Sequence, residues 1–102
     1  MVNFERFQKL ALSFPGVTGE PHFEKVSFRV KNRIFATYDA ANRRASVKLS
    51  AVDQSVFSAI DGTIIFPVNN KWGKQGWTMI DMTKIPSKLF DEILKCAYDE
   101  VK

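Results

Sequence analysis

The hydrophobic period of this chain changes near Glu24. Near the start, Phe4, Phe7, Leu10 and Ala11 recur at helical spacing behind a capping Asn3. From Glu24 onward the period drops to two, with Val26, Phe28 and Val30 alternating with Ser27, Arg29 and Lys31. One side of that extended segment is apolar and the other polar, the pattern of an antiparallel strand with one wet face. A tight turn is expected at Lys31-Asn32 or Asn32-Arg33, since Asn tolerates positive φ. A return strand, Ile34 to Tyr38, is expected next. A turn at Asp39-Ala40-Ala41-Asn42 and a third strand from Ala45 to Leu49 complete a meander.

The flanking segments supply the second layer. Phe14-Pro15-Gly16 stops the first helix, and the stretch through Gly19-Glu20-Pro21 reads as a connecting loop. Ser50-Ala51-Val52-Asp53 resembles a capping box with Asp in place of Glu. It opens a short helix whose expected buried face is Val52, Val56, Phe57 and Ile60, ended by Gly62. Ile64 to Val68 reads as a strand at an edge, because Pro67 lacks a ladder donor. Trp77 to Met82 is the next strand. Thr83 is the expected cap and Pro86 the opening of a last helix, with Leu89, Phe90, Ile93, Leu94, Ala97 and Val101 as its buried stripe. The order αβββαββα predicts an α+β fold, a two-layer sandwich of about five antiparallel strands and about three helices, with the other sheet face partly open. At 102 residues, positions 1–102 form a single domain.

Composition narrows the function classes. No apolar run reaches the roughly 20 residues of a membrane span, so no membrane association is expected. The start, Val2-Asn3-Phe4-Glu5-Arg6, lacks a secretory signal. A lone Cys96 has no disulfide partner, which favours a cytoplasmic location. One Cys and one His also supply no metal set, so neither metal nor cofactor is expected. His22, between Glu20 and Glu24, lacks a defined catalytic constellation and reads as a loop residue packing beside Phe23. Cys96, with only Lys95 to lower its pKa, reads as an inert small hydrophobe. No enzyme is expected.

The net charge of +4 is unevenly spread. Residues 21–88 hold eleven bases against five acids, whereas Asp91, Glu92, Asp99 and Glu100 make the last helix acidic. A basic body favours a polyanionic partner, although a solvated face carries the same balance. Arg29, Lys31 and Arg33 cluster in the first hairpin, Arg43 and Arg44 in the second turn, and Lys48 on the third strand. Asn69 to Trp77, NNKWGKQGW, adds Lys71, Trp72 and Lys74 on a glycine-bearing, flexible segment. Lysines beside flat rings suit a phosphate path with stacked bases. Trp77, alternating with Met79 and Asp81, is expected at the core or its edge. Trp72 has no periodic reason to be buried. It is the stacking candidate, with an indole folded back on the sheet as the competing reading.

The same elements resemble the MmcQ/YjbR family of small bacterial proteins. The resemblance is carried by Phe14-Pro15-Gly16, the hairpin from Lys25 to Ala36, Ser46-Val47-Lys48-Leu49, Gly76-Trp77-Thr78-Met79 and Ala97-Tyr98. It implies a YjbR-like α+β fold, related in shape to type III secretion chaperones, and DNA binding through a double-wing motif. It implies no catalytic set, and it reaches least far in the loop before Trp77.

These readings converge on a nucleic-acid-binding module, with DNA as the candidate partner. Phosphate contacts would come from Arg29, Lys31, Arg33, Arg43, Arg44, Lys48, Lys71 and Lys74, and Trp72 would stack if the strand is single. The rival is a protein-interaction module that docks a protein partner or a second copy of itself. For that reading, an exposed apolar patch is expected around Phe35, Tyr38 and Phe66.

Overall fold

The structure, a computed structural model, describes residues 1–22 and 24–102, with His22 described by its backbone only. Helix α1 spans Phe4–Ser13 and is followed by four strands: β1 (Val17–His22), β2 (Lys25–Val30), β3 (Arg33–Asp39) and β4 (Arg44–Lys48). Then come α2 (Ala51–Ile60), β5 (Ile65–Pro67), the single turn α3 (Lys71–Lys74), β6 (Trp77–Asp81) and α4 (Ser87–Val101). The strands form one antiparallel sheet in the order β1-β2-β3-β4-β6-β5. The fold is α+β as expected, with six strands and four helices among the described residues.

The two added elements have physical reasons. Val17–His22, expected as a loop, is an edge strand paired along β2 from Val17↔Val30 to His22↔Lys25. Its Pro21 is tolerated because an edge strand leaves one side of its backbone unpaired. The backbone of His22 therefore lies in a strand, while its expected packing on Phe23 falls outside the described residues. The opposite edge, β5, carries Pro67. Each edge thus has a residue that resists further strand pairing.

The hairpin turn is Lys31-Asn32, with φ of 53° and 64°. Two successive positive values define the type I′ turn whose twist matches the flanking strands. Just beyond it the register slips between Phe28 and Arg29, leaving Phe35 as an extra residue on β3. This bulge puts Phe35 and Ala36, neighbours in sequence, into the core together. Phe35, expected in an exposed patch, is instead fully buried. Tyr38 is half-buried beneath Phe4, with ring centroids 4.8 Å apart.

All three long helices cover one sheet face. Phe7 of α1 lies 5.0 Å from Phe28 and 5.1 Å from Phe90. Tyr98 of α4 meets Phe35 edge-on at 5.7 Å, and its hydroxyl donates to the Pro15 carbonyl at 2.6 Å. Asn3 caps α1 by accepting from the Arg6 N–H, and Ser50 caps α2 by accepting from the Asp53 N–H. Helix α4 begins at Ser87 with no side-chain cap. Thr83, expected there, instead donates its N–H and hydroxyl to Asp81. Helix α2 departs most from expectation: only Phe57 is buried, while Val52, Val56 and Ile60 are 71%, 55% and 56% exposed. The helix sits over the short edge strand β5, which offers only one buried side chain, Ile65, for it to pack on.

Candidate nucleic-acid interface

The sheet face turned away from the helices is built by strand alternation. Phe28, Ala36, Val47, Thr78, Ile80 and Ile65 point into the core and are fully buried. Their sequence neighbours therefore form the other face. One row across it pairs Ser27 with Thr37, Thr37 with Ser46, Ser46 with Met79 and Met79 with Phe66. A second row runs Lys25, Asp39, Arg44, Asp81 in alternating charge. At the other end of the strands, Lys48 pairs with Trp77.

Trp77 is thus half-buried on this open face and is not part of the core. Residues 77–82 are apolar in both phases, so periodicity alone could not choose which set points inward. The core takes Thr78, Ile80 and Met82. Thr78, fully buried, is tolerated because its hydroxyl donates to the Gly76 carbonyl and accepts from Gln54 Nε2, each at 3.1 Å.

Asn69 to Trp77 is an ordered turn where the sequence suggested a flexible loop. Asn70 caps α3 by accepting from the Trp72 N–H at 2.8 Å. Gln54 reaches over from α2, its amide donating to the carbonyls of Gly73 at 3.0 Å and Trp77 at 3.3 Å. The Val68 N–H donates to Trp77, and the Leu49 N–H to Gly76. Both glycines lie against neighbouring backbone. A Cβ on Gly73 would sit 2.0 Å from the Val68 carbonyl oxygen, and one on Gly76, at φ +104°, 2.0 Å from that of Leu49.

This turn lays Trp72 beside the open face, 49% exposed. With Trp77, Met79, Ile34 and Val68 it lines a hollow of about 460 Å³, whose polar lining is Lys25, Thr37 and Ser46. The two indoles, expected to separate, line the same hollow. Lys71 Nζ stands 5.8 Å from the centre of the Trp72 ring. Arg33 and Lys48 border the adjoining recess with Ile34 and Trp77, joined there by Glu100.

The nine residues singled out in the sequence divide between the two ends of the sheet. Lys31 and Arg33 in the β2–β3 hairpin, Arg29, Lys48, and Lys71, Trp72 and Lys74 of α3 share one end. Among the described residues no carboxylate lies within ion-pair distance of Lys31, Arg33, Lys48, Lys71 or Lys74. Arg29 is held by Glu20 at 3.3 Å. Arg43 and Arg44 lie at the opposite end, where Arg44 stands 5.9 Å over the Phe66 ring. Acids balance that end. Asp81 is lowered chiefly because it accepts from the Thr83 hydroxyl, with Lys84 and Arg44 assisting. Asp39 is lowered chiefly by the Asn42 amide, with Lys25 assisting. Phe66, expected in an exposed apolar patch, lies half-buried on this face, and Lys25, a further member of the surface, is betrayed in the sequence only by strand phase.

The profile of the YjbR family matches residues 12–100 of this sequence. The chain belongs to the YjbR family. Its fold is similar to the crystal structure of the Deinococcus radiodurans protein DR2400, described as carrying the domain DUF419. The TM-score is 0.80 at 20% sequence identity, covering 92% of this chain and 74% of that one. No protein with a curated description matches the sequence. Within the YjbR fold, the open sheet face and the α3 turn are where this chain exposes rings and unpaired bases together. Cys96 lies outside that surface, its thiol pushed up by burial and by Asp53, Asp99 and Glu92. No helix is long and apolar enough to cross a membrane, and no trio of His, Cys, Asp or Glu is grouped to hold a metal, among the described residues.

Proposed function

We propose that this YjbR chain is a non-enzymatic, cytoplasmic nucleic-acid-binding module, with DNA as its partner. The observation that carries the reading is the group of unpaired bases at one end of the open sheet. Lys31 and Arg33 stand on β2–β3, Lys48 on β4, and Lys71 and Lys74 on α3, which packs against β6. From β2 to β6 there are three interstrand steps of about 4.8 Å, so the stripe is roughly 14 Å long. Contacts to phosphate along such a stripe give affinity without sequence reading. Arg29, occupied by Glu20, contributes less, and Arg43 and Arg44 form a second, acid-balanced tip.

Fluorescence anisotropy with labelled DNA at low salt tests this reading. Binding is expected, with a loss of about tenfold or more when Lys71 and Lys74 are both changed to Ala. Undetectable affinity for any DNA or RNA contradicts it.

The exposed stripe Val52, Val56 and Ile60 on α2 favours a second reading, a protein-interaction module that docks a partner or a second copy of itself. Light scattering coupled to gel filtration separates the two. A stable dimer that Val56→Lys dissociates supports the second reading, and a monomer at all concentrations argues against self-association.

A further inference from the structure

We infer that the hollow between Trp72 and Trp77 is a base-stacking platform, so that the nucleic acid bound is single-stranded. This rests on the nucleic-acid-binding reading and names the form of the partner. Trp72, Trp77, Met79, Ile34 and Val68 give the hollow its apolar lining, and Thr37, Ser46 and Lys25 its polar one. Two indoles beside hydroxyls and a lysine suit a flat ring with polar edges, which a nucleobase presents only when it is out of the duplex stack.

The positive charge lies where a single strand needs it. Lys71 and Lys74 flank Trp72 in sequence, and Lys48 and Arg33 border Trp77, with Glu100 of α4 the one acid beside them among the described residues. A backbone running along this rim turns its bases inward onto the rings. The platform is also assembled in advance, because the Gln54 amide and the Asn70 cap fix the α3 turn. Stacking on Trp72 therefore pays little ordering entropy.

The test compares a labelled oligothymidylate of about 12 nucleotides with a duplex of equal length in anisotropy titrations, alongside intrinsic tryptophan fluorescence. The single strand is expected to bind at least about tenfold tighter and to quench the tryptophan emission. Trp72→Ala is expected to weaken single-strand binding by about five- to a hundredfold while Trp72→Phe retains most of it. Trp72 is half exposed, so circular dichroism should show both variants folded. Thr37→Glu, which sets an anion in the lining of the hollow, should weaken the single strand more than the duplex. Duplex binding as tight as single-strand binding, with Trp72→Ala unaffected, overturns the stacking platform and leaves nucleic-acid binding standing. No binding to either form overturns both.

Discussion

Lys31, a proposed phosphate contact, holds a backbone conformation that costs the fold. Its φ of 53° places a side chain with a Cβ in the left-handed region, at about 1–2 kcal/mol. Nothing in its exposed surroundings repays that strain. Lys31→Gly is therefore expected to stabilise the protein by about 0.5–1 kcal/mol in urea unfolding. The same variant should make the salt slope of DNA binding shallower by about 1. Gly76 is the opposite case. At φ +104°, with the Leu49 carbonyl where a Cβ would go, Gly76→Ala should cost about 3 kcal/mol in the same assay. The glycines and asparagines of NNKWGKQGW were legible as turn formers. That the turn is rigid was not, because its order comes from Gln54, nineteen to twenty-four residues away.

Helix α2 separates amphipathic pattern from actual burial. Its apolar spacing is that of a buried face, yet a three-residue edge strand leaves most of it uncovered. Val56→Ser is expected to change stability by less than about 0.5 kcal/mol, whereas Phe57→Ala should cost about 3–5 kcal/mol, both by chemical denaturation. Neighbouring elements taught the same lesson. The β2–β3 hairpin, the edge position of β5 and the stripe of α4 were readable because local turn chemistry and tertiary packing agree there. Strand β1 was hidden by Gly19 and Pro21, whose breaker character an edge strand tolerates. Strand β6 was readable as a strand but not in phase, since its core position Thr78 is polar and satisfied by a distant helix.

In the whole molecule, charge and rings share the side of the sheet that no long helix covers. Apart from Glu100 beside Arg33 and Lys48 and Glu20 on Arg29, the acids lie elsewhere or hold local structure. Asp61 and Asp81 each accept from a threonine two residues on, and Asp39 and Asp99 accept from Asn42 and Lys95. All four are lowered by these bonds. Their carboxylates stabilise the fold above the unfolded value of about 3.9, and that contribution is lost as pH falls through the lower folded values. The thermal midpoint is expected to fall as pH drops from about 5 to about 3, as followed by circular dichroism. The residue types of the candidate interface were in view from the sequence, but not which rings line it. The bulge at Phe35 and the phase of β6 decide which rings face out, and both are tertiary outcomes.

In the function proposed above, unpaired bases at one end of the open sheet bind a nucleic-acid backbone. The salt dependence of DNA affinity decides it, measured by anisotropy for the native chain and for Lys71→Ala/Lys74→Ala. Five phosphate contacts predict a log–log slope of about −3.5 for a single strand or −4.5 for a duplex, made shallower by about 1.4–1.8 in the double variant. A slope near zero, or one that the double variant leaves unchanged, would contradict it.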